Sequence, residues 1–223
     1  MVNATSYHPL SGRSVGRLAA LSDGVFAIAL TLLVLDLAVP VNHAIHGGGP
    51  IWQHGALSSE DTAIDVLGDL APNFLTYLMS FLTLGIFWVA QQTQLEQLER
   101  SDRDFTWVQL VFLLGVTLIP FSTGLLSAYI TYRAALVVYW LNLLVLGAVL
   151  YASLRYAERA RLVRADVPGE ERDAVRRRIK VFQWLYVVAV LLSVFDTYVS
   201  IGFLVFVQLM SALGPRIPPF DRF

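Results

Sequence analysis

The sequence predicts an all-α integral membrane protein with six transmembrane helices. Of its 223 residues, 56% are hydrophobic and 15% are charged, whereas soluble domains are about 45–50% apolar and about 25% charged. Apolar stretches of about 20 residues, the length that crosses about 30 Å of hydrocarbon, recur along the chain. The chain has no cysteine, which excludes disulfides, thiolate metal sites and cysteine nucleophiles.

Six stretches qualify or nearly qualify as spans, so residues 1–223 are predicted to form a single six-span subunit. The approximate spans are 17–39, 70–90, 105–126, 134–154, 179–195 and 198–213. Pro40 ends the first stretch, which lacks an A-x-A-like cleavage site and is therefore predicted to be a mature helix. The last two spans share the block 179–213, which is too long for one ordinary span. Asp196 and its polar neighbours predict a turn within it, with the aspartate solvated.

The basic residues are distributed asymmetrically between the two sides of this topology. With six spans, 15 of the 16 lysines and arginines lie on the side of the two termini, and Arg133 lies alone on the other side. Because basic loops remain cytoplasmic, both termini are predicted to be cytoplasmic. The segment Arg155–Lys180 predicts two helix extensions joined by a turn at Pro168-Gly169. Binding of anionic lipid headgroups by this segment is an alternative interpretation, and nucleic-acid binding is not expected.

The sequence favours neither a metal site nor an enzyme. The predicted outer loop, Pro40–Ile64, carries His43, His46 and His54, but neighbouring glycines disfavour a helix there and no carboxylate or cysteine completes a recognisable site. The glycine triplet lacks the lysine of a phosphate-binding loop. No cluster of histidine, aspartate or glutamate with catalytic spacing occurs within the spans. We therefore expect no metal, no cofactor and no catalytic residues.

The first span carries an apolar stripe with one hydroxyl group. At about 100° per residue, a helix places five residues on one side: Gly24, Ile28, Thr31, Leu32 and Leu35. Arg17 falls on the same side, whereas Asp23 is predicted on a packing side with Ala27 and Leu30. Asp23 then needs a partner on another helix, which we predict to be a buried arginine or amide group. The spacing of these residues leaves the role of the stripe open, because an apolar stripe also fits packing against another helix or contact with lipid.

Residues 17–23, Arg-Leu-Ala-Ala-Leu-Ser-Asp, resemble the signature of the transmembrane protein 175 family, which is an arginine, three variable residues and Phe-Ser-Asp. Arg17, Ser22 and Asp23 match this signature, and Leu21 replaces the phenylalanine. The segment from Asp102 to Phe121 is similar to the third span of bacterial members.

One position departs from the family pattern. After the tryptophan that ends the second span the family often has paired histidines, whereas this chain has Trp88 followed by Gln91-Gln92. Any histidine-dependent behaviour at this place is therefore not expected here.

The resemblance implies a homotetramer in which four first helices line a central pore. It implies a potassium-conducting cation channel without a Thr-Val-Gly-Tyr-Gly filter, which is absent from this sequence. The family's narrowest ring lies five residues after the motif aspartate, at Ile28, and a threonine follows at Thr31. The implied location is a bacterial plasma (inner) membrane, with copies of the chain and membrane lipids as the partners.

Within this hypothesis Ile28, together with Leu32 and Leu35, narrows the pore, and potassium is the permeant ion. Thr31 offers a hydroxyl oxygen beside the ring. Four copies of Asp36 either attract cations at the outer mouth or simply face water. A proton channel, a poorly selective cation channel and a secondary transporter are the alternatives. Transporters usually contain paired broken helices, and Pro120 has no matching interruption in this sequence.

Overall fold

The computed structural model describes residues 15–37, 68, 70–193 and 195–213, and this part of the chain is almost entirely helical. The helices are α1 (Val15–Leu32), which a 3-10 turn at Leu33–Asp36 continues, α2 (Ala71–Glu96), α3 (Arg103–Thr117), α4 (Ile119–Ala128), α5 (Arg133–Arg159), α6 (Gly169–Leu192) and α7 (Thr197–Leu213). The predicted outer loop with its three histidines lies outside the described residues.

These helices form six rods, one for each predicted span. Helices α3 and α4 form one rod that is interrupted at Leu118, because Pro120 in the first turn of α4 has no backbone N–H to donate to the preceding turn. Four rods are long and apolar enough to cross a membrane, namely Val15–Leu35, Ala71–Glu96, Arg103–Ala128 and Arg133–Arg159. Helix α7 is apolar but shorter, and α6 carries basic residues in its first half. The all-α membrane class is confirmed, and the crossing of all six rods stays a prediction.

Aromatic packing fixes α1 against α2 and α3. Phe26 on α1 is 1% exposed, and its ring centroid lies 6.2 Å from that of Phe112 on α3. The ring of Phe87 on α2 lies 6.2 Å from the same Phe112 ring. Aromatic pairs at this separation stabilise a core beyond the burial of their area. One face of α1 is therefore held firmly inside the subunit.

The loops that carry basic residues meet at one end of the bundle, which we call the basic end. The backbone N–H of Glu99 donates to the carbonyl oxygen of Leu162 at 2.9 Å, so the α2–α3 loop pairs with the α5–α6 loop. A hydrophobic cluster joins the start of α1 to both loops, and its buried members are Leu18, Leu95, Leu98, Phe105, Ala157 and Leu162. Among the described basic residues, Arg133 alone lies at the opposite end, where α5 begins.

The segment Arg155–Lys180 consists of the end of α5, a turn and the first half of α6, as the sequence predicted. The turn between the last two rods also lies where expected, but Asp196 does more than face solvent. Its Oδ1 accepts hydrogen bonds from the backbone N–H groups of Tyr198 at 2.6 Å and Val199 at 3.1 Å. Asp196 therefore caps the start of α7, since it satisfies N–H groups that have no partner within the helix.

Replacing Asp196 with alanine is expected to destabilise the protein by about 1 kcal/mol, because two N–H groups of α7 lose their acceptor. Asp196→Asn is the matched control, because the amide oxygen still accepts and the loss should be smaller. Thermal unfolding of both variants in one detergent measures the difference. Equal melting temperatures for the wild type and Asp196→Ala would contradict the capping role.

Candidate functional site

The apolar stripe predicted on α1 is exposed on the surface of the subunit. Ile28 is 62% exposed, Leu32 is 44% exposed and Leu35 is 69% exposed, and Gly24 and Thr31 are exposed beside them. The opposite face of α1 and of the 3-10 turn is buried against the subunit, and its buried residues are Leu18, Ser22, Phe26, Ala29 and Leu33. Large apolar side chains on an unpartnered helix face indicate contact with another chain, lipid or a pore.

The sequence-based assignment of the packing side was wrong for Asp23 and Ala27. Both are exposed, whereas Leu30 is half-buried and packs against the core. The helical period gave the relative directions of these side chains correctly, but it could not say which arc faces the subunit. That arc is the one that contains Phe26, because Phe26 fills the space beside Phe112. Asp23 therefore lies at the edge of the exposed face.

The 3-10 turn at Leu33–Asp36 extends the stripe. With about three residues per turn, side chains at positions i and i+3 eclipse each other, so Leu35 stands in line with Leu32 along the helix. Thr31 lies beside this line, and its Oγ1 donates to the carbonyl oxygen of Ile28 at 2.8 Å. Because the hydroxyl proton points back to the helix, the lone pairs of Oγ1 remain available to coordinate a cation.

Asp23 hydrogen-bonds to polar groups of α2, and its partners within the described part of the chain are not arginines. Its Oδ1 accepts a hydrogen bond from the indole Nε1 of Trp88 at 2.8 Å and a second, short one from Nε2 of Gln92. The expectation of a partner amide on another helix agrees with this geometry, but the bond is exposed on the subunit and not buried. Hydrogen bonds to an ionised carboxylate are stronger than neutral ones, so this contact joins α1 to α2.

Ser22 lies in a separate, fully buried contact. Its Oγ donates to the carbonyl oxygen of Leu18 at 2.9 Å and accepts from Nε2 of Gln91 at 3.0 Å. The same Nε2 donates to Oε1 of Gln109 on α3 at 2.9 Å. Ser22 therefore connects α1, through Gln91, to α2 and α3. Since a buried polar group costs free energy without a partner, this contact also specifies the register of α1.

The remaining candidate residues lie as follows. Arg17 is exposed on the side of the stripe, toward the basic end. Asp36 is the last residue of the 3-10 turn, and its side chain lies outside the described part of the structure. Among the described residues, no three histidines, cysteines or carboxylates lie close enough together to hold a metal ion.

Sequence reasoning did not assign the partners of Ser22 and Asp23. Trp88, Gln91 and Gln92 occur at positions i, i+3 and i+4, which share one face of a helix. A polar face within an otherwise apolar span is a signal that could have predicted a contact with another polar group. Gln109 in α3 carried no comparable signal, because it is an isolated amide.

The six described helical rods with apolar surfaces, and the exposed apolar face of the first helix, define a multi-pass α-helical membrane protein. Residues 17–120 match the family described as "Endosomal/lysosomal potassium channel TMEM175". The chain is also 32% identical over 191 residues to a potassium channel of Chamaesiphon minutus, which covers 84% of this chain and 88% of that protein. The chain belongs to the TMEM175 family, which is a family of ion channels and not of enzymes.

Further relatives agree with this assignment. A potassium channel of Streptomyces collinus is 36% identical over 115 residues, which covers 52% of this chain and 48% of that protein. The crystal structure of a lysosomal potassium-selective channel TMEM175 homolog from Chamaesiphon minutus superposes with a TM-score of 0.72 at 30% identity. The superposition covers 91% of this chain and 98% of that chain, so the family fold extends over nearly the whole chain.

Proposed function

We propose that this chain forms a homotetrameric, potassium-conducting cation channel in a bacterial plasma membrane, with four copies of α1 around a central pore. The observation that carries the proposal is the exposed apolar face of α1, centred on Ile28 and Leu32, on the helix that also carries the family motif. The names of the bacterial relatives, which are potassium channels, support potassium as the permeant ion.

In this proposal Ile28 forms the narrowest ring, and Leu32 and Leu35 continue the apolar lining. An apolar constriction impedes ions because it offers no groups that replace their hydration shells, so conduction requires widening or partial hydration. Potassium loses its water more easily than sodium, and such a ring therefore favours potassium modestly. Thr31 supports passage beside the ring, since the lone pairs of its hydroxyl oxygen can contact a partly dehydrated cation.

Asp36 completes the proposed pathway at the outer mouth. It ends the 3-10 turn that extends the stripe, so four copies would concentrate negative charge near the entrance and raise the local cation concentration. The proposal requires no cofactor and no ligand besides the permeant ion. At the contact between α1 and α2, the side chain bonded to Ser22 is the neutral amide of Gln91, which does not titrate.

Planar-bilayer recording of the purified full chain tests the proposed function. A potassium channel should show unitary currents, and its reversal potential under bi-ionic potassium and sodium gradients should favour potassium. A reversal potential that follows the pH gradient would identify a proton channel instead. Slow coupled flux without unitary currents would identify a secondary transporter and overturn the channel proposal.

The proposed topology places both termini and the basic end in the cytoplasm. It is supported by the structure's separation of Arg133 from the other described basic residues, because basic loops remain inside. Single cysteines in this naturally cysteine-free chain provide the measurement. We expect an impermeant thiol reagent added outside intact cells to label Tyr132→Cys and not Asp166→Cys. Labelling of Asp166→Cys and not of Tyr132→Cys would show that the chain has the opposite orientation in the membrane.

A further inference from the structure

An apolar groove runs between α2, α5 and α6 on the outer surface of the subunit. Its volume is about 490 Å³, within the range of about 300–1,000 Å³ that is typical of ligand pockets. Its apolar lining includes Phe81, Ile86, Val89, Leu150, Ile179 and Phe182. Arg178 is the one charged side chain among the described residues that line it.

The length of the groove along α2 is close to the thickness of one membrane leaflet. From Thr93 to Phe81 along α2 it extends over about 18 Å at about 1.5 Å per residue, close to half of the roughly 30 Å hydrocarbon thickness of a bilayer. Thr93 and Arg178 lie toward the basic end, whereas Phe81 lies near the middle of α2. Arg178 therefore lies at the end of the groove nearest the basic end of the bundle, and the apolar residues extend from there toward the middle of the bundle. A site for a lipid headgroup and its acyl chain has the same arrangement.

Among the described residues, carboxylates compensate the positive charge of Arg176, whereas none compensates that of Arg178. Arg176 contacts Glu158 at 2.6 Å and Asp173 at 3.5 Å, so its charge is compensated. Arg178 stacks on Phe182, with its guanidinium carbon 5.9 Å from the ring centroid. Within the described part of the chain Arg178 forms no ion pair with a carboxylate. Its positive charge is complementary to an anion at the rim of the groove.

We propose that this groove binds an anionic phospholipid, with the phosphate at Arg178 and an acyl chain along the apolar lining. Basic residues near a membrane surface attract anionic headgroups, and the groove adds a fixed place for one chain. That the lipid belongs to the cytoplasmic leaflet rests on the proposed topology. The indole of Trp88 lines the groove and donates to Asp23, so the bound chain contacts the residue that joins α2 to α1.

Native mass spectrometry of the delipidated full-length protein, titrated with phosphatidylglycerol or phosphatidylcholine of identical acyl chains, tests this site without depending on conduction. Phosphatidylglycerol should bind more tightly. Arg178→Gln should weaken its binding about fivefold, the contribution expected of one cation near an anionic headgroup. Arg177→Gln is the matched control, because it removes the same charge from a neighbouring position outside the groove and should leave binding nearly unchanged.

A second variant tests the acyl-chain part of the site. A Cβ added at Gly85 meets no atom within 4 Å, so Gly85→Phe can fill the groove in a folded protein and should abolish tight phosphatidylglycerol binding. Unchanged binding to Gly85→Phe, or equal losses in Arg177→Gln and Arg178→Gln, would overturn the proposal. So would efficient cross-linking of Val89→Cys to a second copy, because the groove would then be a contact between subunits.

Discussion

Replacing Ile28 with asparagine is expected to raise the unitary conductance and to reduce the discrimination between potassium and sodium. Ile28 is 62% exposed at the centre of the stripe on α1, and in the proposed tetramer four copies form the narrowest ring. An amide can hydrogen-bond to water and to a permeating ion, so it lowers the barrier at an apolar constriction. A barrier lowered by about 1.4 kcal/mol corresponds to a rate increase of about tenfold, and we expect an effect of this order.

Leu30→Ala is the matched control for the constriction. Leu30 lies two residues away on the same helix, but it is half-buried against the core of the subunit. Its truncation should destabilise the protein by about 2 kcal/mol through a packing defect, with no change in selectivity. If Ile28 were also an ordinary packing residue, Ile28→Ala would behave in the same way. Wild-type conductance and reversal potential in a properly assembled Ile28→Asn tetramer would contradict the constriction.

Replacing Asp23 with alanine is expected to impair folding or tetramer assembly. The carboxylate accepts hydrogen bonds from Trp88 and Gln92, and its loss leaves both donors on α2 without this acceptor. A hydrogen bond to a charged group contributes about 1.5–3 kcal/mol. Because the contact is exposed on the subunit, we expect a total loss of about 2–3 kcal/mol. Thermal unfolding and the tetramer fraction in size-exclusion chromatography measure the two effects.

Two further variants separate the hydrogen bonds of Asp23 from its charge. Asp23→Asn retains an acceptor oxygen and should lose less stability than Asp23→Ala. Trp88→Phe retains a ring in the same place and removes one donor. A double-mutant cycle between Asp23→Ala and Trp88→Phe should therefore give a coupling of about 1–2 kcal/mol. A normal tetramer with unchanged melting behaviour in Asp23→Ala would contradict the structural role.

The sequence alone was sufficient to predict the features that depend on hydrophobic composition, on the order of the loops and on the helical period. The apolar stretches predicted the rods, because a helix in hydrocarbon must satisfy its own backbone and present apolar side chains. The position of Arg133, apart from every other described basic residue, followed from loop order. The shared side of Ile28, Thr31 and Leu32 followed from the 3.6-residue period, which holds whatever surrounds the helix.

Only the tertiary structure decided which arc of α1 faces the subunit and which groups meet there. Asp23 was expected to be buried, yet it lies exposed beside Trp88, because the space next to α2 and α3 is filled by Phe26. The contact of Gln109 with Gln91 and the groove at Arg178 likewise join residues of different helices. A helical period specifies direction about one axis, whereas such contacts depend on the relative placement of several helices, which packing of the whole core determines.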